Sequence, residues 1–109
     1  MIYILDYGLG NIRAFQNVYR RMGIQINIAK SKEALAKASK IILPGVGAFD
    51  PAMKKINDLG IRETLDMKVL QEKIPVLGIC LGMQLLCDKT EEGGVNGLGI
   101  ISGDVLRFS

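Results

Sequence analysis

Gly78-Ile79-Cys80-Leu81-Gly82-Met83-Gln84 follows directly on the apolar run Pro75-Val76-Leu77. A short apolar run opened by proline reads as a buried strand, and a thiol flanked two residues either side by glycine has the layout of a nucleophile elbow, where a strand turns sharply into a helix. Gly78 and Gly82 bring no Cβ into that turn, which leaves Cys80 exposed at the start of the next helix. Unpaired N–H groups there, with the positive end of the helix dipole, favour thiolate over thiol, and the thiolate is the nucleophile. Such a cysteine ordinarily works with a base, yet the chain contains no histidine.

Working outward, apolar runs at Ile2 to Leu5, Gln25 to Ala29, Lys40 to Leu43 and Val76 to Ile79 read as strands, with amphipathic stretches between them. Asn11 is placed to cap a helix whose Ile12, Phe15, Tyr19 and Met22 share one face, and Gly23 to end it. A shorter helix runs from Ser31 to Ala38. Asp50-Pro51 reads as cap and first turn of a helix ending near Asp58, and Ile61 to Glu72 as one more. Cys87 is expected two turns beyond Cys80 on the same helix, about 10 Å away at the standard rise, so both should be free thiols. Alternating strands and helices imply parallel strands joined by right-handed crossovers: an α/β, three-layer fold with a mainly parallel central sheet and active groups at the carboxyl ends of its strands. After Cys87 the pattern changes to a glycine-rich loop, Thr90 to Gly99, then strand-like stretches at Leu98 to Ile101 and Asp104 to Phe108. With no helix to cover that last strand, the fold is expected to be incomplete at its C-terminus, residues 1–109 being the N-terminal part of a single domain.

Composition narrows the function. The net charge of +3 comes from 14 basic and 11 acidic residues scattered along the chain, with no basic run beyond pairs, which argues against nucleic-acid binding. No apolar stretch approaches the roughly 20 residues of a membrane span, and the N-terminus enters a strand at once instead of a signal peptide. A soluble cytoplasmic protein is expected. Two cysteines without histidine or CxxC spacing leave no basis for a metal site, and no cofactor is expected.

Three loops follow strands. Gly8-Leu9-Gly10-Asn11-Ile12-Arg13 has the position of a dinucleotide fingerprint, but the third glycine is missing and Ala29-Lys30-Ser31 ends the second strand without an acidic residue. A glycine turn packing the first helix against the sheet is the plainer alternative. Pro44-Gly45-Val46-Gly47-Ala48-Phe49 has two glycines that allow backbone N–H groups to point at a ligand oxygen and hold an oxyanion. Gln84, four residues after Cys80, shares its helix face one turn farther in, where it can bond an amide-bearing substrate or simply face solvent. Glu91 and Glu92 can present a carboxylate to an ammonium group or be solvated, and Cys87 reads as a small core residue.

Asp6-Tyr7-Gly8-Leu9-Gly10-Asn11, Leu43 to Phe49, Gly78 to Gln84 and Glu91-Glu92-Gly93 together resemble the class I glutamine amidotransferases, and within them the glutaminase subunits of imidazole glycerol phosphate synthases. The resemblance runs from Met1 to the end, through Gly97-Leu98-Gly99. It implies that Cys80 attacks the side-chain amide of glutamine, forming a thioester and releasing ammonia. By the same resemblance, the N–H groups of Gly45, Val46, Gly47 and Leu81 form the oxyanion hole, and Gly47, Gln84 and Glu92 hold the glutamine. The ammonia would pass to a cyclase/synthase subunit, as a heterodimer, in histidine biosynthesis. The family completes its triad with a histidine and a glutamate near the C-terminus, and neither has a counterpart among these 109 residues. This chain alone is therefore expected to be inactive as a glutaminase. Ala14 also stands where related subunits commonly carry serine. Three alternatives share parts of the pattern: ammonia supply for amidation of a cell-surface sugar, a peptidase-like or glyoxalase-like enzyme with the same elbow, and a non-catalytic partner-binding fragment.

Overall fold

A computed structural model describes residues 1–90, 93–101 and 103–105 of the chain. Four parallel strands form the central sheet: β1 (Ile2–Leu5), β2 (Ile26–Ala29), β3 (Lys40–Leu43) and β4 (Val76–Gly78), in the order β2-β1-β3-β4. The step from β1 to β2 crosses the sheet in one direction, and the steps from β2 to β3 and β3 to β4 in the other. Right-handed crossovers then place α1 (Ile12–Arg21) on one face, and α2 (Lys32–Leu35), α3 (Phe49–Asp58) and α4 (Arg62–Asp66) on the opposite face. The expected three-layer α/β architecture follows.

Register and strand periodicity sort the side chains. Tyr3 pairs with Ile41 and Asn27, and Ile4 with Ile42 and Ile28, so odd and even positions of β1 share a face with their partners across the sheet. Tyr3, Leu5, Ala29, Ile41 and Leu43 join Leu35, Phe49, Ala52, Met53, Ile56 and Leu65 in one buried cluster. On the other face Ile4 and Ile42 are buried, but α1 itself contributes no buried residue, and Leu77 of β4 is 52% exposed.

Local caps follow the sequence in part. The Asn11 side chain accepts the Ala14 N–H at 3.2 Å and Ser31 accepts the Ala34 N–H at 3.2 Å, each fixing a helix start. Gly23 ends α1 with a positive φ, as expected. Asp50, however, is not the cap of α3. The helix already begins at Phe49 from an extended Ala48, and the Asp50 carboxylate instead takes the N–H groups of Gly94, at 3.0 and 2.8 Å, and Val95, at 3.3 Å. Ser31 to Ala38 yields only the four residues of α2.

The helix expected over Ile61 to Glu72 is two segments, α4 and a π-helical turn at Met67–Gln71. Lys68 in that turn is buried. Its ammonium donates to the carbonyl of Ala36 at 3.0 Å, where α2 ends, and pairs with Glu72 at 3.1 Å. A buried cation needs such partners, and the carbonyl end of a helix supplies one.

After β4, the helix α5 spans only Leu81–Leu85, so Cys87 lies beyond it and not two turns along it; both cysteines are free thiols. Leu98 to Ile101 is not a strand. Its N–H groups turn inward, Leu98 donating to Leu85 at 2.8 Å, Gly99 to Cys87 at 3.1 Å and Ile101 to Leu86 at 2.8 Å, which satisfies the last carbonyls of α5. A short parallel pair, β5 (Lys89–Thr90) and β6 (Asp104–Val105), closes the described part of the chain. The remainder of the strand expected over Asp104 to Phe108 lies outside the described residues. Among the described residues no helix is long and apolar enough to cross a membrane.

Candidate active site

Cys80 sits on the turn between β4 and α5 with φ +56° and ψ −122°. For a residue with a Cβ this is a rare, strained conformation, of the kind that costs about 1–3 kcal/mol and persists only where surrounding structure imposes it. That structure is the close contact of α5 with the sheet. A Cβ on Gly82 would overlap the Leu43 carbonyl, and one on Gly78 would press on Leu86 and on the backbone of Met83. The glycines are therefore needed for proximity, while the cysteine itself takes the positive φ. Its exposure agrees with the elbow reading. Because α5 has five residues, what a ligand meets beside the thiol is the first-turn N–H groups more than the dipole of a long helix.

The Pro44 to Ala48 loop lies beside this turn, since β3 and β4 are neighbours and end together, Leu43 level with Gly78. An almost wholly apolar pocket of about 250 Å³ is walled by Asn11, Phe15 and Val18 on the α1 side, by Gly45 and Val46, and by Cys80. Ala14 also lines it. Among the described residues no protein acceptor takes the N–H of Gly45, Val46, Gly47 or Leu81. Gly45 and Val46 line the pocket with Cys80 and Leu81 follows it in the chain, whereas Gly47 does not line that pocket; donors without an internal partner beside a thiol can hold a developing negative charge on oxygen. Gly47 lies at the outer side of the loop with φ +98°, and Leu81 is buried at the first position of α5.

The remaining residues singled out from sequence divide. Gln84 is half-buried one turn into α5, and its side-chain oxygen is buried without a hydrogen-bond donor among the described residues. Gln84 does not line the pocket with Cys80. Glu91 and Glu92 lie outside the described residues, but the loop following them is held by Asp50, as described above. Cys87 is half-buried, its thiol 3.7 Å from the Met83 carbonyl. The Gly8-Leu9-Gly10 turn serves packing: a Cβ at Gly10 would lie 3.3 Å from the Pro44 ring, so this glycine lets the two loops approach. Among the described residues no group of His, Cys, Asp or Glu is arranged to hold a metal ion.

Two residues take roles here other than those read from sequence. Tyr7 is buried and donates its hydroxyl to the Pro44 carbonyl at 2.6 Å. Burial pushes its phenol up to about 12, so it remains a donor throughout the neutral range. Asp50 fastens the start of α3 to Gly94 and Val95. Asp50 carried a local signal only for a helix cap and Tyr7 only for the loop motif it belongs to, because each acts on a partner tens of residues away along the chain.

Comparison with known proteins agrees with this geometry. The family described as "Glutamine amidotransferase class-I" matches residues 3–101. A protein named imidazole glycerol phosphate synthase subunit HisH from Bdellovibrio bacteriovorus is 54% identical over 108 residues, 99% of this chain and 53% of that protein. The protein of the same name from Leptospira interrogans is 49% identical over 109 residues, again 53% of its length. Imidazole glycerol phosphate synthase hisHF of Arabidopsis thaliana is 46% identical over 109 residues, 18% of its length. A solved structure described as a glutamine amidotransferase superimposes with a TM-score of 0.78 over 97% of this chain and 56% of that one; at 24% identity it supports the fold alone. The chain thus spans about half the length of these HisH relatives. By the match across residues 3–101, this chain belongs to the class I glutamine amidotransferase family.

Proposed function

We propose that this chain carries the nucleophile-bearing part of a glutaminase that supplies ammonia to a synthase, as N-terminal part of a single amidotransferase domain. The observation that carries the reading is the strained, exposed Cys80 sharing one apolar pocket with Gly45 and Val46, whose N–H groups have no acceptor among the described residues. In this reading the Cys80 thiolate attacks the side-chain amide carbon of glutamine. The N–H groups of Gly45, Val46, Gly47 and Leu81 receive the oxyanion of the tetrahedral intermediate. Collapse breaks the C–N bond, the leaving nitrogen takes a proton and departs as ammonia, and a γ-glutamyl thioester remains. Water then attacks that thioester, giving glutamate and restoring the thiol. Gly47, Gln84 and Glu92 hold the glutamine, as the resemblance implies.

Both proton transfers need an acid–base group, and the sequence of 109 residues contains no histidine. The resemblance implies a histidine in that role, and the relatives matched here are about twice as long as this sequence. The relatives are named as subunits of an imidazole glycerol phosphate synthase, which supports extending the proposal to a synthase partner: a cytoplasmic heterodimer in which this subunit takes glutamine and its ammonia passes to a cyclase/synthase subunit in histidine biosynthesis.

The test is covalent. Treating the protein with 6-diazo-5-oxo-L-norleucine, a glutamine mimic that keeps the carbonyl and carries a diazomethyl carbon in place of the amide nitrogen, should alkylate Cys80 at that carbon with loss of N2 and spare Cys87, and glutamine should protect. Glutamine hydrolysis by the 109-residue chain alone should fall at least about 10³-fold below that of a chain spanning the relatives' full length, since loss of a triad base costs a serine hydrolase about 10⁶ and a thiol needs less help. Labelling indifferent to glutamine would sink the reading; protected labelling without hydrolysis in any chain length would leave a binding module in place of an enzyme.

A further inference from the structure

We infer that Tyr7 is a positioning residue for the oxyanion donors: its hydroxyl grips the Pro44 carbonyl and thereby aims the Gly45 N–H toward the Cys80 pocket. The inference rests on the glutaminase reading above and adds a residue to it.

The Pro44 carbonyl and the Gly45 N–H belong to one peptide group, which is planar and, like every peptide bond among the described residues, trans. In a trans peptide the C=O and N–H point in opposite directions. Fixing the carbonyl against Tyr7, at 2.6 Å, therefore turns the N–H to the opposite side. Gly45 lines the pocket with Cys80, and among the described residues nothing in the protein accepts its N–H. Without the tyrosine this peptide would be poorly restrained, because Gly45 places few limits on its own φ. Nor can another residue replace that glycine, since a Cβ there would lie 2.5 Å from the Tyr7 oxygen and 3.0 Å from the Gly82 nitrogen.

Packing alone does not account for the hydroxyl. Tyr7 belongs to the apolar cluster with Leu43, Phe49 and Leu81, where a phenylalanine would fill the same space with no polar atom to satisfy. Among the described residues, the acceptor that the buried hydroxyl meets is Pro44, 37 residues away and one residue before the proposed donors. Because burial keeps the phenol protonated, the grip does not relax anywhere in the pH range in which a cysteine enzyme works.

The experiment compares two labels of Cys80 in the full-length protein and in its Tyr7→Phe variant. Iodoacetamide needs a thiolate but no oxyanion donor, whereas the diazoketone presents its carbonyl where the amide oxygen of glutamine would sit. Tyr7→Phe should slow diazoketone labelling by about tenfold or more, below the 10²-fold and larger loss from deleting a donor outright. Iodoacetamide labelling should change by less than about twofold, since thiolate access is untouched. Lys68→Met, which removes a buried hydrogen bond to Ala36 on the far side of the cluster, serves as the control for general loosening and should leave the ratio of the two rates unchanged. If Tyr7→Phe does not fold, replacing the three tyrosines by a ring-fluorinated, more acidic analogue keeps the volume, and the ratio should then collapse at a lower pH than in the unsubstituted protein. An unchanged ratio in Tyr7→Phe, an equal change in Lys68→Met, or an unshifted pH profile in the fluorinated protein overturns the assignment while glutamine-protected labelling persists. Loss of that protection in the unsubstituted protein overturns the glutaminase reading, and this assignment with it.

Discussion

Beneath α2 to α5 the sheet face carrying Tyr3, Leu5, Ile41 and Leu43 is sealed by Phe49, Met53, Ile56 and Leu65, whereas the face carrying Ile4, Ile28, Ile42 and Leu77 meets, among the described residues, only α1. In α1 no residue is buried, and Val18 and Met22 on it are 52% and 61% exposed. The two faces have the same chemistry, runs of isoleucine, leucine and valine, but only one of them has a finished core. Hydrophobic sequence therefore does not by itself say which surface is interior; the count of crossovers in each direction does. One connection passes over the open face and at least three helices over the closed one. The proposed nucleophile stands at the boundary, with its backbone clamped from the closed side and its pocket opening toward α1.

Substitutions can break this contrast. The largest effect is expected at Phe49, fully enclosed on the closed face: Phe49→Ala should cost about 3–5 kcal/mol in denaturant unfolding, through lost transfer energy and the cavity left behind. A cost below about 1 kcal/mol would mean that this core is not the one supporting the fold. At the boundary the sign reverses. Cys80→Gly relieves the positive φ and should raise stability by about 1 kcal/mol while abolishing every reaction of the thiol, and a destabilised glycine variant would show that the elbow is not strained. The smallest effect belongs to the open face. Leu77→Ser in the 109-residue chain should change stability by no more than about 0.5 kcal/mol, because half of the side chain is already in water. The same substitution costing about 2 kcal/mol in a longer chain would show that additional residues cover this face.

The elbow and the strands were legible because their signals are local. Two glycines flanking a cysteine after an apolar run encode a tight strand-to-helix turn whatever surrounds it, and Asn11, Ser31 and Gly23 act within a few residues of themselves. What escaped was decided at a distance. Asp50-Pro51 has the composition of a helix start, but the carboxylate is drawn to N–H groups 44 residues away, and Ala48 begins the helix without a side-chain cap. Leu98 to Ile101 alternates like a strand, yet its N–H groups are claimed by the end of α5. Around Lys68 the helical pattern widens into a π turn, where the ammonium reaches the last turn of α2. Tyr7 reads as one apolar residue among many until its partner across the fold is seen. For the site, sequence gave the thiol and the loop opposite it, but not what holds that loop.

The inward-facing amides of Leu98, Gly99 and Ile101 set a practical length limit on the polypeptide. Cutting the chain before Leu98 strips three donors from the carbonyls of Leu85, Leu86 and Cys87 and should fray α5, the only helix after the nucleophile among the described residues. Asp88 extends the requirement by two residues, since its N–H donates to the Gly103 carbonyl at 2.9 Å and its carboxylate takes the Gly103 N–H at 3.0 Å. A shortened version that keeps all of these bonds behind the Cys80 turn must therefore reach Gly103.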